Sequence, residues 1–400
     1  MLDQLTKKYL PKIKRRFARF VLENVPHNRG KYAPVRTMKA RLWAESTGAK
    51  RFVLEEEHMF APTIPADIMA YADENGQPLT PRLYPEISIT EIPNGRIWTD
   101  NVTSVCTITP DRVHIPEYSV EINLHARDTV GNRALLIKHW PEPLRLKGRV
   151  LGINIGHGGH GNFFQFILNV LPRLGIADRL GLIETVDWFH IPGLTKAYQR
   201  QSLEALGIPL EKCICADAHP HIEAEVLLGC SNARNGQYVP QWVVDYLRPR
   251  LMTLKDTATD KPLPKRIYIS RKDSAMRPVV NEDALVAALA PHGFVELKLS
   301  DYTFPEQVRL FSQADAIVGA HGAGFTGLLY ANPKAWVIEF FNTRYLTSMY
   351  YQLAKAVGLR YYYHIDYKEY PDTKFGENVQ GPMTADIEAL MTLVRLAERE

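Results

Sequence analysis

Four hundred residues with 46% hydrophobic and 23% charged content are ordinary for a globular chain, enough for two or three domains that each bury a core. A net charge of +4 without interleaved aromatic and basic residues points away from nucleic acid. The four cysteines, Cys106, Cys213, Cys215 and Cys230, are too few and too irregular for a disulfide framework or a complete zinc site, so a reduced, cytoplasmic setting is expected.

Residues 1–24 interleave Lys7, Lys8, Lys12, Lys14, Arg15, Arg16 and Arg19 with Leu10, Ile13, Phe17, Phe20 and Val21 at helical spacing. Such a basic amphipathic helix can lie on an anionic membrane, which would place the chain at its inner face. The same stripe can equally pack on the protein body with its lysines in water. No apolar run approaches the roughly 18 residues of a membrane span.

Residues 25–145 are Pro-rich and irregular. Four alternating segments, Ile97–Thr99, Ser104–Thr109, Arg112–Ile115 and Ser119–Leu124, predict a small antiparallel meander with turns at Pro93-Asn94-Gly95 and Pro110-Asp111. No chemistry is assigned there.

An α/β region is expected over 146–254. Strand Arg149–Ile155 runs into the glycine loop Gly156-His-Gly-Gly-His-Gly-Asn162, followed by the apolar helix Phe163–Leu171. Asn162, Gln165, Asn169 and Arg173 are spaced by three, four and four residues, which puts them on one helical face and suggests a wet cleft. His157 and His160 could ligate a metal, but no third and fourth ligand follows at a diagnostic spacing, so no metal is expected. Strand Val186–Ile191, helix Leu194–Leu206, the segment Cys213–Leu228 and helix Gln241–Leu254 follow. The polar, Pro-containing stretch Lys255–Lys265 reads as the linker between domains.

The second α/β region is expected over 265–375, with a closing helix in 380–400 that could cross back to the first half. Strands Arg266–Arg271, Phe294–Leu299, Ala316–Val318, Ala335–Phe340 and Arg360–Ile365 alternate with helices, which argues for a parallel sheet covered on both faces. In such sheets ligands sit beyond the carboxyl ends of the strands. Three polar groups fall there: Arg271, able to clamp a diphosphate; His321, able to donate to a phosphate oxygen; and Glu339, able to accept from ribose hydroxyls. Gly322, Ala323 and Gly324 form a glycine turn between strand and helix, whose amides can meet an anion.

These motifs together resemble glycosyltransferase family 61, which includes capsule-type polysaccharide proteins and xylan xylosyltransferases. The likeness runs from about Arg149 to Leu359, roughly half the chain, and includes Gly161-Asn-Phe-Phe with Leu171-Pro-Arg-Leu174, Tyr268-Ile-Ser-Arg271 with Arg277, Asn281-Glu282, Phe304-Pro-Glu-Gln-Val308, Ala314–Gly324 and Val337-Ile-Glu339. It implies a GT-B-like fold of two facing Rossmann-like domains with a small β-rich amino-terminal region. It also implies an inverting mechanism without a metal and no cofactor beyond a nucleotide-sugar donor, with UDP the nucleotide by family analogy. The donor would lie in the carboxyl-terminal half on Arg271, Arg277, His321, Gly322, Ala323, Gly324 and Glu339. The glycan acceptor would lie in the amino-terminal half near Asn162, Gln165, Asn169 and Arg173. Independently, no convincing Asp-x-Asp element is present to hold Mg²⁺.

The chain departs from the family at the acceptor side. Gln165-Phe-Ile stands where His-Trp-Leu is usual, Asn169 replaces an acid, and Pro278 replaces the second arginine of a pair. A general base must be His, Asp or Glu, so it is sought at His160, His157 or Glu306. The expected function is sugar transfer to a glycan in surface polysaccharide synthesis. The rivals are a catalytically reduced polysaccharide- or membrane-associated scaffold and a nucleotide-dependent oxidoreductase. Gly319-Ala-His-Gly-Ala-Gly324 lacks the dinucleotide G-x-G-x-x-G order.

Overall fold

The computed structural model describes residues 30–60, 64–66, 68, 83–121, 132–137, 140–156, 159, 161–234, 238–257, 259–343, 345–366 and 380–400. The basic stretch 1–24, His157 and His160 lie outside the described residues. Two compact units result. One comprises residues 1–58, 85–203 and 208–233, and the other 59–84, 204–207 and 234–400. Helix Gln241–Leu251 thus belongs to the second unit, where it packs on helix Met349–Val357 and on Ala323–Tyr330. The unit begins upstream of the linker 255–265 expected as the boundary.

The first unit is built on one 11-stranded mixed sheet. Strands Leu144–Gly152, Trp188–Ile191, Cys213–Cys215 and His221–Cys230 form its parallel part. The other flank of His221–Cys230 pairs antiparallel with Ile87–Pro93 and then with Arg96–Thr99. The β-rich region is therefore not a separate meander but the continuation of the α/β sheet. Pro93-Asn94-Gly95 is not a hairpin turn either. The two segments run in one direction along the same partner in unbroken register, with Asn94 (φ 52°) and Gly95 between them. A Cβ on Gly95 would come within 2.7 Å of Leu227 Cβ, so only glycine lets the chain pass that close. The turn at Pro110-Asp111 does form, with Arg112 N–H donating to Thr109 O at 3.0 Å.

The second unit carries five parallel strands in the order Val295–Leu297, Arg266–Ile269, Ala316–Ala320, Trp336–Asn342 and Arg360–Asp366. Alternate residues face opposite sides, as the pleat requires. Tyr268, Val318, Ala320, Ile338 and Phe340 join Leu285, Leu289, Leu390 and Val394 in one core. The closing helix Ile387–Arg399 contributes Leu390 and Val394, so it packs within this unit rather than crossing back. The first two strands in sequence lie side by side at one end, and the chain then adds strands in the opposite direction. The order reverses between Arg266–Ile269 and Ala316–Ala320, which makes the crevice beyond their carboxyl ends the expected ligand position. Among the described residues no helix is long and apolar enough to cross a membrane.

Candidate anion-binding site at the sheet switch

Strand Arg266–Ile269 delivers Arg271 to this crevice. The side chain is 8% exposed, yet no carboxylate among the described residues pairs with it. Its Nη2 donates to Met276 O at 2.5 Å and to Ser274 Oγ at 2.9 Å, and its Nε has no partner among the described residues. Its backbone N–H is fixed by Glu282 at 2.7 Å, which also accepts from Tyr268 Oη at 2.9 Å. Burial, then the neighbouring Arg277, lowers the Arg271 pKa from its ordinary value. A buried guanidinium held by neutral acceptors has positive charge left for a ligand.

Gly322 follows from this. A Cβ there would stand 2.3 Å from Arg271 Nη1. Gly322 itself is extended (φ 178°), so the constraint is close approach and not backbone conformation. The chain then enters a 3₁₀ helix, Ala323–Tyr330, where an α-helix was expected. Within it, position 327 has room for glycine only, since the Phe311 ring lies 2.3 Å from where a Cβ would be. The first-turn amides at Ala323 and Gly324 have no acceptor among the described residues and are partly exposed.

His321 ends strand Ala316–Ala320 and is 3% exposed. Its Nδ1 lies 2.5 Å from Glu339 Oε1, while Tyr361 Oη donates to Glu339 Oε2. Glu339 is wholly buried. The expected contact of Glu339 with ribose is therefore corrected: both carboxylate oxygens are occupied, and the group orients His321. Arg277 adopts φ 54°, rare for a residue with a side chain, and its Nε donates to His321 O at 3.3 Å. Its guanidinium stacks 5.1 Å above the Tyr345 ring, which lies 5.1 Å from the His321 ring. Arg271, Arg277, His321, Gly322, Ala323 and Gly324 thus meet in one place. Sequence reasoning missed Ser274, the Met276 carbonyl, Tyr345 and Tyr361. Tyr361 had a signal, because it shares the sheet face of Glu339 on the adjacent strand.

Glu306 is not in this site. It is the capping residue of helix Phe304–Gln313, accepting from Thr303 N at 2.7 Å, Thr259 Oγ1 at 2.5 Å and Lys261 Nζ at 2.8 Å. Lys261, followed by Thr259 and the Thr303 amide, pulls its pKa down to about 2. A carboxylate so depressed and so occupied is a poor proton acceptor, which corrects its expected role as a base. Thr303-x-x-Glu306 was the legible signal for a capping box. Glu306→Gln should lower stability by about 1 kcal/mol and leave nucleotide binding unchanged, read by thermal melting and calorimetry. The part of this stability that depends on the depressed pKa is present above the ordinary glutamate pKa. It is lost as pH falls toward about 2.

In the first unit the polar stripe splits. Phe166–Val170 is a π-helical turn between the α-helical Phe163–Gln165 and Pro172–Arg179. The wider turn breaks the 3.6-residue spacing on which one shared face depended. Asn162 is exposed and caps the helix, accepting from Gln165 N at 3.1 Å. Asn169 Nδ2 donates to Gln165 Oε1, both half-buried. Arg173 is corrected from cleft-lining to core: it is 1% exposed and donates to Asn154 O at 3.3 Å and Asn232 Oδ1 at 2.5 Å. Among the described residues no group of three or more His, Cys, Asp or Glu is placed to hold a metal.

The second unit is thus a doubly wound α/β domain with a cationic cradle at its switch point. Residues 163–338 match the family described as Glycosyltransferase 61, the family its motifs resemble. The chain is 34% identical over 101 residues to the EGF domain-specific O-linked N-acetylglucosamine transferase of Gallus gallus, covering 24% of this chain and 19% of that protein. The proteins of the same name from Mus musculus and Drosophila melanogaster are 33% identical over 101 residues and 28% over 142. These cover 24% and 34% of this chain, and 19% and 25% of the relatives. The chain thus spans about a fifth to a quarter of the length of the curated relatives it matches.

Proposed function

We propose that this protein transfers a sugar from a nucleotide diphosphate donor, a UDP-sugar by family analogy, to a glycan or protein acceptor. The observation that carries the reading is Arg271: a buried guanidinium, in no ion pair among the described residues, pressed against Gly322 beside His321. In an inverting transfer the acceptor hydroxyl attacks the anomeric carbon while the bond to the diphosphate breaks. The negative charge that develops on the departing oxygen is met by Arg271, Arg277, His321 and the amides of Ala323 and Gly324. The two guanidiniums and the amides are already in place, so little reorganisation is needed as charge appears. The reading assigns the leaving-group charge to these groups and gives no role to a metal. N-acetylglucosamine transfer, as in the names of the relatives, is the first donor sugar to try.

A panel of UDP-sugars, scored by UDP released with and without oligosaccharide acceptors, tests this. Failure of UDP, GDP and CDP alike to bind at millimolar concentration would reject it. One observation favours a second reading, binding without transfer. Gln165 and Asn169 are hydrogen-bonded to each other, and neither amide can take a proton from an acceptor. Nucleotide binding with no UDP released from any donor would select that reading.

A further inference from the structure

The ring of His321 has two distinguishable edges. A carboxylate is acceptor-only at neutral pH, so the 2.5 Å contact with Glu339 Oε1 requires the hydrogen on Nδ1. Tyr361 Oη donates to the other oxygen and keeps that carboxylate aimed at the ring. In the neutral ring Nε2 then carries a lone pair, and the one side-chain hydrogen bond of His321 among the described residues is made at Nδ1. Two anionic oxygens and a lone pair do not attract. For Nε2 to donate to a phosphate, it must first gain a proton.

The groups around the ring make that exchange favourable only with ligand present. Glu339 faces it from the neighbouring strand, with Tyr361 behind on the strand beyond. Arg271 and Arg277 act on it from the segment after Arg266–Ile269. Tyr345, from the loop after Trp336–Asn342, and Tyr350, on helix Met349–Val357, lie 5.1 and 5.3 Å from it, and Phe341 stacks at 5.7 Å. Burial is the largest influence and lowers the His321 pKa from its ordinary value; Glu339 opposes it, and the two guanidiniums lower it further. Two cations and one carboxylate leave a net positive site that resists a further proton. A diphosphate brings enough negative charge to reverse that balance.

We propose that a nucleoside diphosphate binds here together with one proton, taken from solvent onto Nε2 of His321, and that Glu339 is the positioning residue that makes Nε2 the receiving atom. The proton is returned to solvent when the diphosphate leaves. This rests on the donor-site reading above and adds the proton stoichiometry.

Calorimetry of UDP binding to the full chain tests it. The titration is run above about pH 7.5, where the terminal phosphate is already ionised, in two buffers of different ionisation enthalpy. The expected result is a buffer-dependent enthalpy corresponding to uptake of up to about one proton, with affinity rising up to about tenfold per pH unit as pH falls. His321→Asn should abolish the buffer dependence. Glu339→Gln should shrink it, and Tyr361→Phe, which keeps the ring and the packing, should shrink it less. Nitrogen NMR of the histidines should show a Nδ1–H neutral ring in the free protein and a doubly protonated ring with UDP. UDP binding whose enthalpy is the same in both buffers overturns the proposal while leaving the donor site standing. Uptake that persists in His321→Asn overturns it as well. Failure of UDP, GDP and CDP alike to bind removes the donor site, and this inference with it.

Discussion

Replacing Arg271 by alanine should lower kcat/KM for sugar transfer by about a thousandfold, near 4 kcal/mol of transition-state stabilisation. The size follows from the environment. Charge-assisted donors in a dry site count for far more than surface ones, and no carboxylate among the described residues forms an ion pair with this guanidinium. The fold should not suffer in proportion. The native side chain already carries a desolvation cost, visible in its lowered pKa, so its removal relieves one unfavourable term while losing the bonds to Ser274 and Met276. Transfer assays and melting curves on the same preparation check both halves. Arg271→Lys should recover little, because an ammonium cannot hold the Met276 carbonyl and present a fork to a phosphate together. A melting temperature that fell as steeply as the activity would instead make Arg271 a structural residue.

Gly322→Ala should cost about a hundredfold in the same assay with almost no change in melting temperature. The added methyl would sit 2.3 Å from Arg271 Nη1, and the guanidinium is the movable partner. The backbone accepts the substitution, since φ 178° is open to every residue. The guanidinium must therefore swing, and misplacement by about 1 Å is enough for a loss of this order. Gly161→Ala, where a Cβ meets nothing within 4 Å, is the control and should behave as wild type. UDP affinity measured beside turnover separates a displaced clamp from a general loss of folding.

The strands and helices of the second unit were largely legible, and the reason is local. Helix Phe304–Gln313 was read to the residue because Thr303, Pro305 and Glu306 mark its start. The buried strand Ala316–Ala320 is a continuous apolar run, and Trp336–Asn342 is one interrupted only by Glu339 before its closing Asn342, as parallel sheets lead one to expect. Arg271 and His321 were legible because each ends such a strand. What a linear pattern cannot carry is which groups find each other across strands. Glu339 looked like a strand-end carboxylate, and only the sheet shows it enclosed by His321 and Tyr361. The same limit hid the single sheet of the first unit. Ile97–Thr99 reads as an ordinary antiparallel piece of a local meander, while its partner strand, His221–Cys230, lies more than a hundred residues away. The π turn at Phe166–Val170 had no sequence mark at all, and it moved Arg173 from the expected cleft into the core.

That central strand, His221–Cys230, governs how the protein can be cut. A fragment starting at Leu144 would keep its parallel neighbour and strip away the whole opposite side. A row of amide and carbonyl groups would then stand open along one margin, with Leu227 and Leu228 beside it, inviting another copy to add itself. Trimming this chain to start at Leu144 should therefore yield a self-associating product rather than a minimal domain.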